Sequence, residues 1–226
     1  MPTDGPDNPF WEQPETVSKF SGREPDHRLQ EMVDDYLDPA STRILDLGCA
    51  GGRNTVYLAG LGFDIHALDA SRAMVEETRR RLAEVLSPEQ AERRVRLGRM
   101  DDLSAFEDST FRLVVALGIY HGAGSREEWD RTLAETWRIL EPGGRVLVSN
   151  HTDAFDADGN GLAPVSDEEP IYERRSGLSF LVDAATLDME MERHGFERLA
   201  TTETVRRATE GGGTRVTANG LYGRPV

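Results

Sequence analysis

The sequence predicts an α/β fold in which strands alternate with helices and an antiparallel hairpin closes the chain. Three observations carry that expectation. Between Arg43 and Ser149, apolar β-type runs take turns with segments of helical spacing. The first run, Arg43-Ile44-Leu45-Asp46-Leu47, ends in an acidic residue and passes into Gly48-Cys49-Ala50-Gly51-Gly52. Small residues there let backbone N–H groups and a helix N-terminus approach a ligand. At the other end, Phe196 to Arg206 and Thr214 to Tyr222 are β-rich runs around Gly211-Gly212-Gly213, the pattern of a hairpin.

Composition bounds the function. The chain has 226 residues, enough for one large core. With 26 basic and 41 acidic residues its net charge is −15, which argues against a nucleic-acid-binding surface. Its single cysteine, Cys49, cannot form an internal disulfide, so a reducing cytoplasm is the expected location. No apolar run approaches a membrane span and no signal-peptide core opens the chain, so no membrane partner is expected. Oligomeric state is not legible.

Taken in order, residues 1–24 read as an arm and 25–226 as one domain. Met1 to Pro9 holds three prolines and two aspartates and almost nothing apolar. Phe10, Trp11, Val17 and Phe20 follow, in a segment too short for its own core. Either they staple the arm to the domain, or the arm is a lid with Trp11 and Phe20 facing substrate. Asp26 to Leu37 has helical spacing at Leu29, Met32, Val33, Tyr36 and Leu37, and Pro39 stops it.

The loop after the first strand fits one of two nucleotide frames. The dinucleotide frame G-x-G-x-x-G reads Gly48-x-Ala50-x-x-Arg53 and fails at its second and third glycines. The frame acidic-x-Gly-x-Gly-x-Gly is met by Asp46-x-Gly48-x-Ala50-x-Gly52 with one Gly-to-Ala change. A first helix covers Thr55 to Ala59. Phe63 to Leu68 is a second strand ending in Asp69, about 20 residues beyond Gly48, where a carboxylate meets the two hydroxyls of a ribose. The alternative is that Asp69 caps the helix starting near Ser71. That helix runs to Leu86, where Ser87-Pro88 ends it, and its Met74 either touches an adenine or packs in the core.

Val95 to Gly98 is a third strand and Ser109 to Leu117 a fourth, largely buried one. Ligands of open α/β sheets bind outside the C-terminal strand ends, where Gly118-Ile119-Tyr120-His121-Gly122 lies. His121 is either catalytic or structural. Arg126 to Leu140 is an amphipathic helix with Trp129, Leu133, Trp137 and Leu140 on one side. Pro142-Gly143-Gly144 turns it into a fifth strand reaching Ser149, and His151 lies just past that strand's end. Residues 151–181 are polar, punctuated by proline and long, as a functional loop or flap is. Inside them, Asp156-Ala157-Asp158-Gly159-Asn160-Gly161, with Asp167 in the twelfth place, copies the start of a calcium loop. A strand precedes it, Pro164 interrupts it, and Asp replaces the closing Glu; it reads as an ordinary turn, and no metal site is expected. A last helix covers Asp183 to His194.

Together, Asp46 to Gly52, Asp69, Ser109 to Leu117 and Arg138-x-Leu140-x-Pro142-Gly143-Gly144 resemble the Rossmann-like, class I S-adenosylmethionine (SAM) dependent methyltransferases. The resemblance runs from the first strand to the last. It departs at Arg99 and Arg112, where Asp is usual. It implies a doubly wound, seven-stranded sheet, parallel except for the last strand, and SAM as cofactor with S-adenosylhomocysteine as product. By analogy the cofactor meets Asp46, Gly48, Cys49, Ala50, Gly52, Asn54, Asp69, Ala70, Met74, Met100, Asp101 and Leu117. Among these, Asp101 is the candidate acceptor for the adenine amino group. Arg23 or the loop amides would hold the cofactor carboxylate. A small-molecule acceptor is implied, touching Trp11, Phe20, Tyr120 and His121. His121 is the first choice of general base and His151 the second. The rival readings are a SAM-binding protein that is regulatory or performs other chemistry, and a nicotinamide dehydrogenase.

Overall fold

The computed structural model describes residues 9–156, 159, 161–165, 168–174, 176–209 and 211–226. Most of the expected arm, residues 1–8, falls outside them. So do Ala157, Asp158, Asn160 and Asp167 of the calcium-loop-like run. Among the described residues, eight strands make up the central sheet, where seven were expected, and it is mostly parallel. The chain divides into two compact units, residues 1–100 with 111–115 and residues 101–110 with 116–226.

The first unit begins with a short 3-10 turn, Pro9–Glu12, then α1 (Pro14–Ser21) and α2 (His27–Val33). β1 (Arg43–Leu47) follows, with Ile44, Leu45 and Leu47 fully buried and Asp46 buried beside them. Such a run belongs to a strand covered on both faces. It leads through the glycine loop into α3 (Arg53–Gly60), and β2 (Asp64–Asp69) returns beside β1 in parallel. α4 (Arg72–Leu82) starts at the Ser71 cap and buries Met74, Val75, Thr78 and Leu82, one stripe at helical spacing. α5 (Pro88–Arg94) leads into β3 (Val95–Leu97), parallel to β2. β4 (Phe111–Leu117) pairs in parallel with the other side of β1.

In the second unit, the end of β4 turns through Tyr120–Gly122 into α6 (Arg126–Ile139), whose Ser125 cap accepts from the Glu128 N–H. β5 (Leu140–His151) comes next, then a separate antiparallel hairpin of β6 (Ile171–Arg174) and β7 (Gly177–Phe180). α7 (Ala184–Arg193), capped by Asp183, precedes β8 (Glu197–Arg198), β9 (Glu203–Ala208) and β10 (Thr214–Gly223). β10 runs antiparallel to β5, β8 and β9. The core of this unit is aromatic: Trp129 stacks on Phe180 at 4.5 Å, and its indole N–H donates to Glu190.

Several element expectations need correction. α2 stops at Val33 rather than Leu37, because Asp35 and Tyr36 turn back onto Met32 and Val33 and leave Leu37 96% exposed. α4 ends at Leu82 rather than Leu86. Ser87-Pro88, read as a stop, is a start: Ser87 caps α5 in a reciprocal box with Gln90, and Pro88 takes the first turn, where its missing N–H costs nothing. The Pro142-Gly143-Gly144 turn lies within β5, where Gly143 and Gly144 exchange backbone hydrogen bonds with Arg224. The run Phe196 to Arg206 is broken into β8 and β9, and Thr202 between them donates to Asp188. The segment 151–181 contains the β6–β7 hairpin rather than loop alone.

Candidate functional site

The first unit builds its site on the loop between β1 and α3. Gly48, Ala50 and Gly52 all have positive φ, at 73°, 47° and 78°. This winding aims successive backbone groups to one side and strains only Ala50. It is pinned from three directions. The Gly48 and Cys49 N–H groups donate to the Leu68 carbonyl at the end of β2. Thr78 of α4 donates to the Ala50 carbonyl at 2.6 Å, and Arg81 donates to the Gly51 carbonyl. A Cβ on Gly52 would lie 2.8 Å from the Thr78 methyl, so the close approach needs glycine.

Asp69 ties loop to helix. One carboxylate oxygen accepts the Ala50 N–H at 2.8 Å and the other the Ser71 N–H at 2.9 Å. Ser71, not Asp69, is the cap of α4. Each Asp69 oxygen keeps a lone pair for a further donor. Burial raises its pKa, and Glu12 adds to the shift. Asp46 is 2% exposed and accepts from the Thr55 hydroxyl at 2.6 Å; burial lifts its pKa to about 6. Burial pushes the Cys49 thiol far up, so it is an inert thiol in the loop. Asn54 is buried and spends its side-chain oxygen on the Asp26 N–H, while Met74 and Met100 are buried and Ala70 is exposed.

The N-terminal segment covers this loop. Ser21, at the end of α1, packs so tightly on Gly51 that a Cβ there would lie 2.5 Å from the Ser21 Cβ. The Trp11 carbonyl accepts from Ser71, and the Glu12 carboxylate accepts the Ala73 N–H in the first turn of α4. Trp11 meets Phe20 edge to face at 5.1 Å, and the Arg23 guanidinium lies 4.1 Å above the Phe20 ring. Arg23 has no carboxylate partner among the described residues; burial, then Arg53, lower its pKa. Glu12 and Ser21 escaped the sequence reading, since nothing in a polar arm marks which residue will reach a loop 30 to 60 positions away.

The second unit carries a separate group. Gly118 (φ 86°) ends β4 and donates to the Ser149 carbonyl, and the next turn brings His121 beside β5. The His121 and His151 rings lie 4.1 Å apart, so the two expected histidines are together. His151 stacks on Phe155 at 4.5 Å, and its Nδ1 is 3.1 Å from the Arg174 guanidinium. A guanidinium only donates, so that nitrogen is the acceptor. Arg174 also lies 4.1 Å above Phe155. Burial, then Arg174 and Arg215, push His121 down to about 3; burial, then His121 and the same arginines, push His151 well below its usual value. Both imidazoles are therefore neutral at physiological pH.

Of the other expected residues, Leu117 is half-buried at the end of β4. Tyr120 departs from expectation: it is fully buried, with its hydroxyl on Thr136 and its ring against Trp129, which leaves no face for a substrate. Asp101 is paired through one carboxylate oxygen with Arg131 at 2.8 Å. Among the described residues, Asp130, Glu190 and His194 have metal-ligand spacing, but Arg126 and Arg193 pair with both carboxylates.

Residues 44–144 match the family described as "Methyltransferase domain". The chain is similar to the "Ubiquinone biosynthesis O-methyltransferase" of Xanthomonas oryzae pv. oryzae, 31% identical over 138 residues that cover 58% of this chain and 55% of that protein. It thus spans about half the length of the curated relatives it matches. Among solved structures, the PH0226 protein from Pyrococcus horikoshii OT3 superposes with a TM-score of 0.67 at 18% identity, covering 96% of this chain and 95% of that one. A second is the Burkholderia thailandensis 1,6-didemethyltoxoflavin-N1-methyltransferase, solved with 1,6-didemethyltoxoflavin and S-adenosylhomocysteine. It has a TM-score of 0.63 at 17% identity and covers 96% of this chain and 81% of that one. At these identities the structures show likeness of fold alone.

Proposed function

We propose that this chain, whose residues 44–144 match the family described as "Methyltransferase domain", is a Rossmann-like SAM-dependent methyltransferase that transfers a methyl group from SAM to a small-molecule acceptor. The observation that carries the proposal is the Asp69–loop arrangement. One buried carboxylate holds the Ala50 and Ser71 N–H groups, beside a loop wound through three positive-φ residues and crossed so closely that Gly52 admits no Cβ. That is a cradle for a ligand with a diol and a charged tail. Asp69 would take the ribose hydroxyls on its spare lone pairs, Asp46 would steady the loop through Thr55, and Arg23 would pair with the cofactor carboxylate.

Bound there, SAM supplies a methyl already activated on a sulfonium, so the protein's task is alignment and exclusion of water. Trp11, whose carbonyl accepts from Ser71, and Phe20, which meets Trp11 edge to face, would serve as the lid. His121 would take a proton where the acceptor must lose one, with His151 held in register by Arg174. Residues 151–181, which carry Phe155 and Arg174, form the acceptor-side segment of this reading. The net charge of −15 favours a small acceptor over nucleic acid. A lone, inert cysteine suits a reducing cytoplasm. Among the described residues, no helix is long and apolar enough to cross a membrane.

The test is Asp69→Ala. SAM affinity should fall at least tenfold by calorimetry, roughly the loss of one to two charge-assisted hydrogen bonds, while circular dichroism stays unchanged. Equal affinity in a folded variant would remove Asp69 from the cofactor site.

A further inference from the structure

We infer that Arg174 is an acceptor-recognition residue, and that the acceptor presents a carboxylate to it. The inference rests on the methyltransferase reading and names the class of substrate within it.

Arg174 is half-buried, yet its partners among the described residues are neutral: His151 Nδ1 at 3.1 Å and the Phe155 ring at 4.1 Å. The contrast within the same unit is sharp. Half-buried Arg126 pairs with Glu190 at 2.8 Å and Glu169 at 3.1 Å, and Arg138 pairs with Asp108 and Glu135, each at 2.7 Å. A chain with 41 acidic and 26 basic residues has carboxylates to spare, so a guanidinium held off them is a choice of the fold. Burying a charge without a counter-charge is costly, and an anionic ligand offsets that cost. The chemistry fits: one N–H of the planar fork is used on His151, and the fork is shaped for two-point capture of a carboxylate. Burial and then Arg215 lower the Arg174 pKa to about 10, and neither neutral histidine supplies negative charge. The group also surrounds the proposed base, since His151, on which Arg174 rests, is 4.1 Å from His121. An anion there would weaken the guanidinium field that holds His121 down, and so strengthen the base when the acceptor is bound.

The experiment is calorimetric titration of the S-adenosylhomocysteine-saturated protein with two matched pairs of probes: benzoate against benzamide, and 4-hydroxybenzoate against 4-hydroxybenzamide. Each acid is expected to bind at least tenfold tighter than its amide. Arg174→Met should erase that preference and Arg174→Lys should restore part of it, with S-adenosylhomocysteine affinity unchanged in both. Equal binding of acids and amides by the unaltered protein, or a preference that survives Arg174→Met, overturns the inference. Failure of the unaltered protein to bind S-adenosylhomocysteine would instead overturn the methyltransferase reading, before any probe is added.

Discussion

At the scale of single residues, Arg23 and Arg174, neither paired with a carboxylate among the described residues, divide the proposed chemistry between cofactor and acceptor. Arg23 lies on Phe20, a few residues from the Ser21 that presses on Gly51. If it pairs with the SAM carboxylate, Arg23→Ala should weaken SAM about tenfold. It should leave 5′-methylthioadenosine, which lacks the amino-acid tail, unaffected in the same titration. Equal losses for both ligands would place Arg23 in a merely structural role. Asp69 was legible in the sequence because its distance from Gly48 is fixed by one strand–helix–strand unit, whose length is set by local geometry. Arg174 was not. It lies in a polar run without periodicity, and its partners Phe155 and His151 come from a different strand and turn. Tyr120 was misread for a related reason, since position near a strand end does not say which way a side chain points. The hydroxyl of Tyr120 found Thr136.

At the scale of elements, α1 is the piece that the sequence could announce but not place. The aromatics of the arm predicted packing against something: Trp11 packs on Phe10 and Phe20, and it is Ser21 that meets the glycine loop at Gly51. A methyl on Gly51 would meet the Cα, Cβ and N of Ser21 within 2.8 Å, so helix or loop must move. Gly51→Ala should release the arm. Limited proteolysis within residues 9–24 should quicken about tenfold, while the unfolding free energy of the whole chain, read from urea titration, falls by less than about 1 kcal/mol. An arm that stays protected while the midpoint falls would mean that the loop yields instead. The strands and long helices were legible because burial imposes periods that propensity reinforces. The boundary at Ser87-Pro88 was ambiguous for a physical reason: a Ser-Pro pair suits the stop of one helix as well as the start of the next, and only Gln90 at the third position shows that the cap points forward.

At the scale of the whole molecule, buried titratable groups tie stability to pH. The folded-state pKa of His121 is about 3 and that of His66 about 4, both lowered chiefly by burial from an unfolded value near 6.5. Between those limits the unfolded chain binds more protons. The histidine contribution is therefore present above about pH 6.5 and is lost as pH falls towards 4 and then 3. Asp46, raised to about 6, works the other way, with stability present below its unfolded value near 3.8 and lost as pH rises through 6. Replacing one group isolates its share. His121→Gln should lower the rise of unfolding free energy with pH between 4 and 6 by about 1 kcal/mol per pH unit, read from urea midpoints. Parallel pH curves for variant and parent would show that His121 titrates normally.

The central claim is that the loop from Asp46 to Gly52, closed by Asp69, holds SAM. Its most direct test is calorimetric titration of the purified chain with SAM and S-adenosylhomocysteine, with NAD as the control. The account predicts one-to-one binding of both sulfur nucleotides in the micromolar range and no heat from NAD. Binding of NAD alone, or of none of the three, would contradict it.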